Sequence, residues 1–355
     1  MIPRALKLAA YHLVQRAGLE SLVLASRWRR RRLLILCYHG VAIEDEHLWA
    51  PALFLPPPLF RRRLDMIRQA RSAVLPLAEA LERLFAGTLP ERAVTLTFDD
   101  GGYDFYRVAF PILREFGFPV TVYLTTYYSA FNRPVFDVML SYLLWKGRGQ
   151  LLSWPQVLPQ AVPLDDSGRS MAIRLIHEAA RRAALSGRQK DDLLAALAAR
   201  LSIDYPTLCA RRLLHLMNPD EVREVAAAGV EVQLHTHRHR VSRRRDLFMK
   251  EIEDNRRAIE QVSPSPAVHF CYPSGRHLPE FEEYLAAAGV RSAVTCRPAL
   301  ATKSANPYLL PRVLDVAAMA PVEFEAWLSG IAGLLPRRRP RPEAPLLLED
   351  DAAGA

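Results

Sequence analysis

Short, continuous apolar runs alternate with helical segments along most of this 355-residue chain. Such runs are typical of strands buried on both faces of a parallel sheet. They lie at residues 33–38, 94–98, 120–124, 230–234, 267–272, 291–296 and 309–313, with a shorter one at 73–76. Segments of helical periodicity separate them, at residues 59–70, 77–85, 105–116, 219–228, 247–262 and 281–288. About seven βα units joined by right-handed crossovers predict an α/β fold with a closed or nearly closed barrel.

The alternation also predicts the domain boundaries. We expect the barrel to span residues 33–335, because these contain all the predicted strands. Residues 127–216 break the alternation, are rich in Ala, Leu and Arg at helical spacing, and predict a helical insertion. Residues 336–355 combine an arginine run with prolines, acidic residues and a small-residue end, which predicts a solvated, disordered tail.

Residues 1–32 predict a basic amphipathic helix that ends in an arginine run. Apolar residues recur at helical spacing with Lys7 and Arg16 between them, and residues 27–32 are arginines apart from Trp28. Two interpretations stay open: the helix packs on the domain, or it rests on a membrane surface. No apolar run reaches the roughly 18 residues that span a bilayer, and Arg16 and Glu20 argue against a secretory signal peptide.

The four cysteines predict the compartment. Cys37, Cys209, Cys271 and Cys296 have no close paired spacing, which favours buried, reduced thiols over metal ligands or a disulfide framework. We therefore expect a cytoplasmic protein, peripheral at the inner membrane face if the first helix binds lipid. The net charge of +9 lies largely near the termini and accompanies no nucleic-acid-binding motif, so no nucleic-acid partner is expected.

Two distant segments carry the candidate chemistry. Asp99 and Asp100 follow the run at 94–98, and His235 and His239 follow the run at 230–234. Because the carboxyl ends of parallel strands meet at one mouth of a barrel, these side chains are expected to converge there. A carboxylate and two imidazoles four residues apart can hold one divalent cation, most readily Zn²⁺, and the other carboxylate remains for proton transfer. His237 is expected outside the ligand set.

Each segment has a plainer interpretation when taken alone. An aspartate pair before glycine is common turn chemistry, and a single histidine beside an apolar strand is usually structural. The order of motifs favours the functional interpretation. It resembles that of the polysaccharide deacetylase (NodB-homology, carbohydrate esterase) family, in the segments Thr97-Phe98-Asp99-Asp100-Gly101, His235-Thr236-x-x-His239, Phe270-Cys271-Tyr272-Pro273-Ser274-Gly275 and Leu310-Pro311-Arg312.

The resemblance implies a distorted (β/α)7-type barrel and a metal-dependent N-deacetylase acting on a carbohydrate. It implies that Asp99 is the general base and that Asp100, His235 and His239 hold the metal. The turn Tyr272-Pro273-Ser274 would line the acetyl pocket and lend a backbone N–H to the oxyanion. An N-acetylated glycan, as polysaccharide, oligosaccharide or lipid-linked glycan, is the expected partner.

The sequence departs from the family pattern at two places. A Leu-x-His motif that usually supplies the acid is missing after Arg312, and His39, at the end of the first predicted strand, is our substitute. Cys271 stands where many relatives have an arginine that orients the base, and Arg312 is the substitute, with Arg276 behind it. His39 as a core or capping residue and Arg312 as a surface ion-pair residue remain open, as does a glycan-binding relative without turnover.

Overall fold

The computed structural model describes residues 4–335, and its centre is one curled, mostly parallel sheet. The strands are β1 (Arg32–Tyr38), β2 (Gly40–Val41), β3 (Phe54–Leu55), β4 (Ala73–Val74), β5 (Ala93–Phe98), β6 (Thr121–Leu124), β7 (Leu151–Leu152), β8 (Val162–Pro163), β9 (Glu231–Leu234), β10 (His269–Cys271), β11 (Ser292–Val294), β12 (Ala301–Thr302) and β13 (Val313–Leu314). Along the path of the central sheet they follow the order β11, β10, β9, β6, β5, β1 and β12.

Helices cover the outside of this sheet and form most of the predicted insertion. They are α1 (Arg4–Arg16), α2 (Leu19–Ala25), α3 (Arg27–Arg30), α4 (Glu46–Trp49), α5 (Pro57–Gln69), α6 (Leu77–Ala86), α7 (Phe110–Phe116), α8 (Phe136–Lys146), α9 (Asp166–Arg182), α10 (Gly187–Arg200), α11 (Tyr205–Ala210), α12 (Pro219–Ala227), α13 (Arg245–Glu260), α14 (Glu280–Ala287) and α15 (Pro321–Ser329).

The sheet is almost closed into a barrel, which confirms the predicted fold class. β1 pairs in parallel with β5 on one side, and on the other side with β13, through Leu36 and Cys37. At the opposite edge of the sheet, Leu310 makes a parallel bridge to Val294 of β11. The segment from Leu310 to β13 therefore spans the gap between the two edges. Because β1 and β5 are buried on both faces, their side chains are apolar or Thr after Arg32, as the continuous runs predicted.

The last predicted strand, at 309–313, is wrong. Pro307–Leu309 forms a 3-10 turn, and the strand begins only at Val313. Pro311 lacks an amide hydrogen and so cannot donate to a strand ladder, which explains the interruption. Arg312 consequently lies at the break before β13, not at the end of a strand.

The predicted helices between the strands are present, with one local difference. The segment predicted as a helix at 105–116 starts with a π-helical turn, Phe105–Ala109, before α7. Residues 127–216 contain α8 to α11 and the small hairpin β7–β8, which the pattern did not predict. Buried residues of these elements form an apolar cluster separate from that of the barrel.

The amino-terminal segment is broken into three helices rather than one. α1 ends at Arg16, and Gly18 adopts a left-handed conformation (φ 68°) before α2. Within the arginine run, Arg29 is fully buried and donates hydrogen bonds to the carbonyl oxygens of Leu328, Arg32 and Ala93. The predicted tail at 336–355 lies outside the described residues.

Candidate active site

The first acidic residue after β5, Asp99, lies inside the barrel in a fully satisfied ion pair. Arg312 Nη1 donates to Asp99 Oδ1 at 2.6 Å and Arg312 Nη2 donates to Asp99 Oδ2 at 2.7 Å. Both side chains are buried, and Arg312 also donates to Thr97 Oγ1 and to the Thr295 carbonyl oxygen. Burial alone would raise the pKa of Asp99, but the guanidinium holds that pKa well below its usual range. Asp99 is therefore a carboxylate of fixed orientation.

Two thiols complete the surroundings of Asp99. The Sγ atoms of Cys37 and Cys271 lie 3.6 and 3.4 Å from Asp99 Oδ2. Burial raises the pKa of both thiols well above the usual value, so they are neutral donors. Although Asp99, His235 and Cys271 lie close enough together to hold a cation, a neutral thiol is a poor ligand and the Asp99 oxygens already bind Arg312.

Asp100 points elsewhere because the backbone turns sharply after Asp99. Asp100 and Gly101 both have left-handed conformations, with φ of 69° and 80°. A Cβ on Gly101 would lie 2.3 Å from Leu124 Cδ1, so this turn needs glycine for space as well as for conformation. The Asp100 side chain is 39% exposed at the barrel mouth, whereas that of Asp99 is 3% exposed.

Asp100 meets the two predicted histidine ligands. Asp100 Oδ1 lies 3.2 Å from His235 Nε2 and 3.2 Å from His239 Nε2. The three ligand atoms lie within 4.8 Å of one another. Burial acts to lower the pKa of His239 and to raise that of Asp100, yet their attraction leaves the pKa of His239 raised and that of Asp100 well below its usual range. A divalent cation bound here would displace the proton of His239, because an imidazole must be neutral to bind a metal.

The orientation of His235 fits a metal ligand. Its Nδ1 lies 2.8 Å from the carbonyl oxygen of Cys271, which can only accept a hydrogen bond. Nδ1 therefore carries the hydrogen, and the Nε2 lone pair is directed toward Asp100. This arrangement, with the outer ring nitrogen bound to a carbonyl, is usual for metal-binding histidines. Asp100, His235 and His239 thus fit a cation site by donor type, spacing and tautomer.

The loop that carries the histidines is held by helix α13, through two residues that the sequence analysis missed. Asn255 Oδ1 accepts a hydrogen bond from the His235 backbone N–H, and Asn255 Nδ2 donates to the Leu124 carbonyl oxygen. Glu251 accepts hydrogen bonds from the backbone N–H and the guanidinium of Arg238. Both are polar residues on the otherwise apolar buried face of α13. Because buried polar groups are usually hydrogen-bonded, this break in the apolar pattern could have indicated their supporting role.

The loop folds back through left-handed residues rather than a helical turn. Thr236 and His239 have φ of 63° and 57°, and Thr236 Oγ1 accepts a hydrogen bond from Arg240 N–H. His237, between the two ligand candidates, has its Nδ1 2.9 Å from Thr126 Oγ1. It therefore lies outside the cluster, as expected.

His39 lies beside Asp99 at the mouth. Its Nε2 is 3.9 Å from Asp99 Oδ2, and its side chain is 20% exposed. Its Nδ1 is buried and has no hydrogen-bond partner within residues 4–335. The loop after His39 is held by Asp104, whose Oδ2 accepts a hydrogen bond from Val41 N–H.

The expectation for Tyr272 requires a correction. Its ring is buried and packs edge-to-face on Phe270, with ring centroids 5.1 Å apart, so it belongs to the core instead of lining a pocket. Its backbone N–H donates to the Val294 carbonyl oxygen and is not free for an oxyanion. The turn continues through buried Pro273 to exposed Ser274, which has a left-handed conformation (φ 56°). Ser274 remains the candidate oxyanion donor of this turn.

Comparison with known proteins finds deacetylases that are similar to this chain. The family model for polysaccharide deacetylase matches residues 86–142 and 200–293, which leaves out the middle of the insertion. A curated relative, the poly-beta-1,6-N-acetyl-D-glucosamine N-deacetylase of Escherichia coli K12, is 33% identical over 101 residues. That match covers 28% of this chain and 15% of the relative, so the chain spans only a small part of the relative's length.

Solved structures share the fold at low sequence identity. The Streptococcus pyogenes deacetylase PplD, in complex with acetate, is 18% identical, with a TM-score of 0.55 over 86% of this chain and 99% of that chain. A de-N-acetylase from Aggregatibacter actinomycetemcomitans is 14% identical, with a TM-score of 0.52 over 83% of this chain and 99% of that chain. These likenesses extend the barrel assignment to most of the chain.

Proposed function

We propose that this chain, which the polysaccharide deacetylase family model matches over residues 86–142 and 200–293, removes N-acetyl groups from a carbohydrate by metal-dependent hydrolysis of the amide. One observation carries the proposal. The cluster of Asp100, His235 and His239 lies at the barrel mouth directly beside the buried Asp99–Arg312 pair. A cation site and an ionised carboxylate in adjacent positions are what activation of a water molecule requires.

We propose that Asp100, His235 and His239 hold the cation, with Zn²⁺ favoured because two imidazoles and one carboxylate suit it. When bound, such a cation lowers the pKa of water and polarises the amide carbonyl. His235 is kept in the correct tautomer by the Cys271 carbonyl oxygen, and Asn255 holds its backbone. The exposure of Asp100 and His239 leaves a side of the cluster open to substrate.

Asp99 is the proposed general base. The bidentate hydrogen bonds from Arg312 keep its carboxylate ionised and immobile, so it is always ready to accept a proton. They also make it a weak base, because a low pKa reduces its affinity for the proton. Arg312 is therefore a positioning residue. Because it lowers the basicity of Asp99, the attacking water has to be acidic enough to give up its proton to this carboxylate.

His39 is the proposed acid for the departing amine. It lies beside Asp99, with its Nε2 3.9 Å from Asp99 Oδ2, and its own side chain is partly exposed. An imidazole in this place can pass a proton to the amine nitrogen while Asp99 receives one from water. Ser274 is the proposed backbone donor to the oxyanion.

An N-acetylated glycan is the proposed substrate, and the named activity of the Escherichia coli relative supports an N-acetylglucosamine polymer. We also propose a cytoplasmic location with peripheral binding to the inner membrane face. The free cysteines support a reducing compartment. None of the helices within residues 4–335 is long and apolar enough to cross a bilayer.

A second function is favoured by a specific observation. The tight hold of Arg312 on Asp99 and the missing Leu-x-His motif favour a glycan-binding relative with little or no turnover. Such a protein would bind N-acetylglucosamine oligomers saturably, contain metal, and release no acetate. The two functions therefore differ in one measurable product.

The test combines elemental analysis of the purified protein with acetate release from N-acetylglucosamine oligomers. We expect about one divalent cation per chain and acetate release that is lost on chelation and restored by Zn²⁺. Asp100→Asn should lose both metal and activity, whereas the control Asp220→Asn, on an exposed helix end, should keep both. Full activity in metal-free protein, or in Asp100→Asn, would overturn the proposal.

A further inference from the structure

The first helix has two apolar faces. Its inner face packs on the domain, where Tyr11 is buried, Leu8 and Val14 are partly buried, and Gln15 Nε2 donates to Glu325 Oε2 of α15. On its outer face, Leu6 and Leu13 are 59% and 69% exposed. They are seven residues apart, so they lie two turns from each other on one side of α1. Packing against the domain therefore leaves a second apolar stripe on the solvent side.

α2 adds two more exposed leucines. Leu19 and Leu22 are 46% and 67% exposed and lie one turn apart. Leu6, Leu13, Leu19 and Leu22, called the leucine face below, lie within 17 residues of sequence. The other large apolar residues with comparable exposure in residues 4–335 are scattered over the rest of the chain. Exposed apolar surface concentrated in this way marks an interaction site more often than chance.

Positive charge accompanies the leucine face. Residues 1–32 contain eight Lys and Arg against one Glu, so they carry +7 of the chain's net +9. Arg16, Arg27 and Arg31 are exposed, and Arg30 has only an exposed partner, Glu91. Arg29 is the exception, because it is buried and holds α3 on the barrel. Arg16 lies at the end of α1, between Leu13 and Leu19 in sequence, and Arg27, Arg30 and Arg31 follow α2, in α3 and directly after it. Exposed positive charge therefore accompanies the leucines along the same segment.

We propose that the leucine face and its arginines bind the surface of an anionic lipid bilayer. Exposed leucines on short helices can enter the headgroup region, while arginines at their ends pair with lipid phosphates. A nucleic-acid partner would contact the arginines but leave the leucines exposed to water, and so would a purely acidic protein surface. The charge and the apolar surface together fit a membrane.

The position of α1 determines how the barrel would lie. At its start, Arg4 donates to the Ala318 carbonyl oxygen and pairs with Glu323, beyond the carboxyl end of β13. At the other end of the segment, Arg29 in α3 reaches the carbonyl oxygen of Ala93, at the amino end of β5. α1 to α3 therefore run along the barrel wall from the mouth end to the opposite end. A barrel lying on this wall would open its mouth beside the membrane, within reach of glycan at that surface.

The test is sedimentation of the full-length protein with vesicles of phosphatidylcholine, with and without phosphatidylglycerol. We expect binding to the anionic vesicles only, and weaker binding at high salt. Leu13→Gln/Leu22→Gln should weaken it at least about tenfold, since each leucine loses its burial in the bilayer. Arg27→Gln and Arg31→Gln should each weaken it about fivefold.

The matched control is Leu151→Gln/Met171→Gln, which removes two apolar residues of the insertion that are 67% and 40% exposed and should leave vesicle binding unchanged. All substituted side chains are exposed, and equal melting temperatures check the fold. Failure of the parent protein to bind anionic vesicles, equal binding to neutral vesicles, or unchanged binding by the leucine variant would each overturn the proposal. Because no step of this assay needs catalysis, its outcome is independent of the proposed deacetylase activity.

Discussion

Asp99 and Asp100 are adjacent in sequence, yet their surroundings are opposite. Asp99 is buried, and a guanidinium and two thiols surround its oxygens. Asp100 lies at an open mouth, with an oxygen directed at two imidazole nitrogens. The left-handed turn at Asp100 separates the two by sending successive side chains to different sides. Asp99 is thus fixed as a buried carboxylate, whereas Asp100 can offer an oxygen to a cation.

The largest effect on stability is expected from Arg312→Met, which leaves Asp99 buried without its partner. Breaking a buried pair by removing one member costs about 3–5 kcal/mol of unfolding free energy. Urea unfolding should show this loss, and acetate release should fall at least about a hundredfold because the base is no longer oriented.

The double variant Asp99→Asn/Arg312→Met serves as its control. It should recover part of the lost stability, because the unpaired carboxylate is gone, and it should remain inactive. If Arg312→Met alone were as stable as the parent protein, the ion pair with Arg312 would not be what stabilises the buried carboxylate of Asp99.

Asp99→Asn separates the two carboxylates by function. The amide cannot accept the proton from water, so acetate release should fall about a thousandfold. Metal content, measured by elemental analysis, should stay near that of the parent protein because Asp99 is not a ligand. Loss of the metal in this variant would show that the two carboxylates share one role.

His39→Gln tests the proposed proton donor beside Asp99. The expected outcome is a fall in kcat of about a hundredfold, with KM and metal content little changed. The comparison variant is His237→Gln, whose ring binds Thr126 outside the cluster and should affect kcat far less. Equal effects in the two variants would remove His39 from the mechanism.

Asn255→Ala tests whether α13 supports the cation site through the backbone of His235. Because Asn255 holds the backbone of His235 and contacts no cation ligand atom, its removal should weaken metal affinity by about 10- to 100-fold. A competition titration against a chelator measures this change. Unchanged affinity would mean that the histidine loop holds its shape without α13.

The smallest effect concerns Asp104, which supports the loop after His39. Burial raises the pKa of Asp104 to about 8, whereas the unfolded chain has the ordinary value near 4. Between these values the folded protein keeps the proton and the unfolded chain releases it, so Asp104 reduces stability as pH rises through this window. Relative to the parent protein, the unfolding free energy of Asp104→Asn should therefore rise by about 1 kcal/mol or more between pH 4 and pH 8. If urea denaturation gave the same difference in unfolding free energy between variant and parent at every pH in this range, the raised pKa of Asp104 would be contradicted.

Part of the site was predictable because it depends on local pattern. Asp99, Asp100, His235 and His239 each follow an apolar run, and parallel strands bring such ends together. The role of Tyr272 was mispredicted because the residue following a strand can turn either inward or outward, and packing on Phe270 decides this. The final strand was misplaced because one proline moved its start by several residues.

The sequence by itself determined the alternation of strands and helices, the mouth at which the chemistry gathers, and the basic, apolar character of the first helices. These follow from periodicity and composition, which act over a few residues. The sequence left Arg312 either as the residue that orients Asp99 or as a surface ion-pair residue, and the tertiary structure decided for the buried pair with Asp99, 213 residues away. Only the tertiary structure showed that Glu251 and Asn255 hold the histidine loop. Such contacts depend on which side chains face one another after long-range packing. No local pattern contains that information.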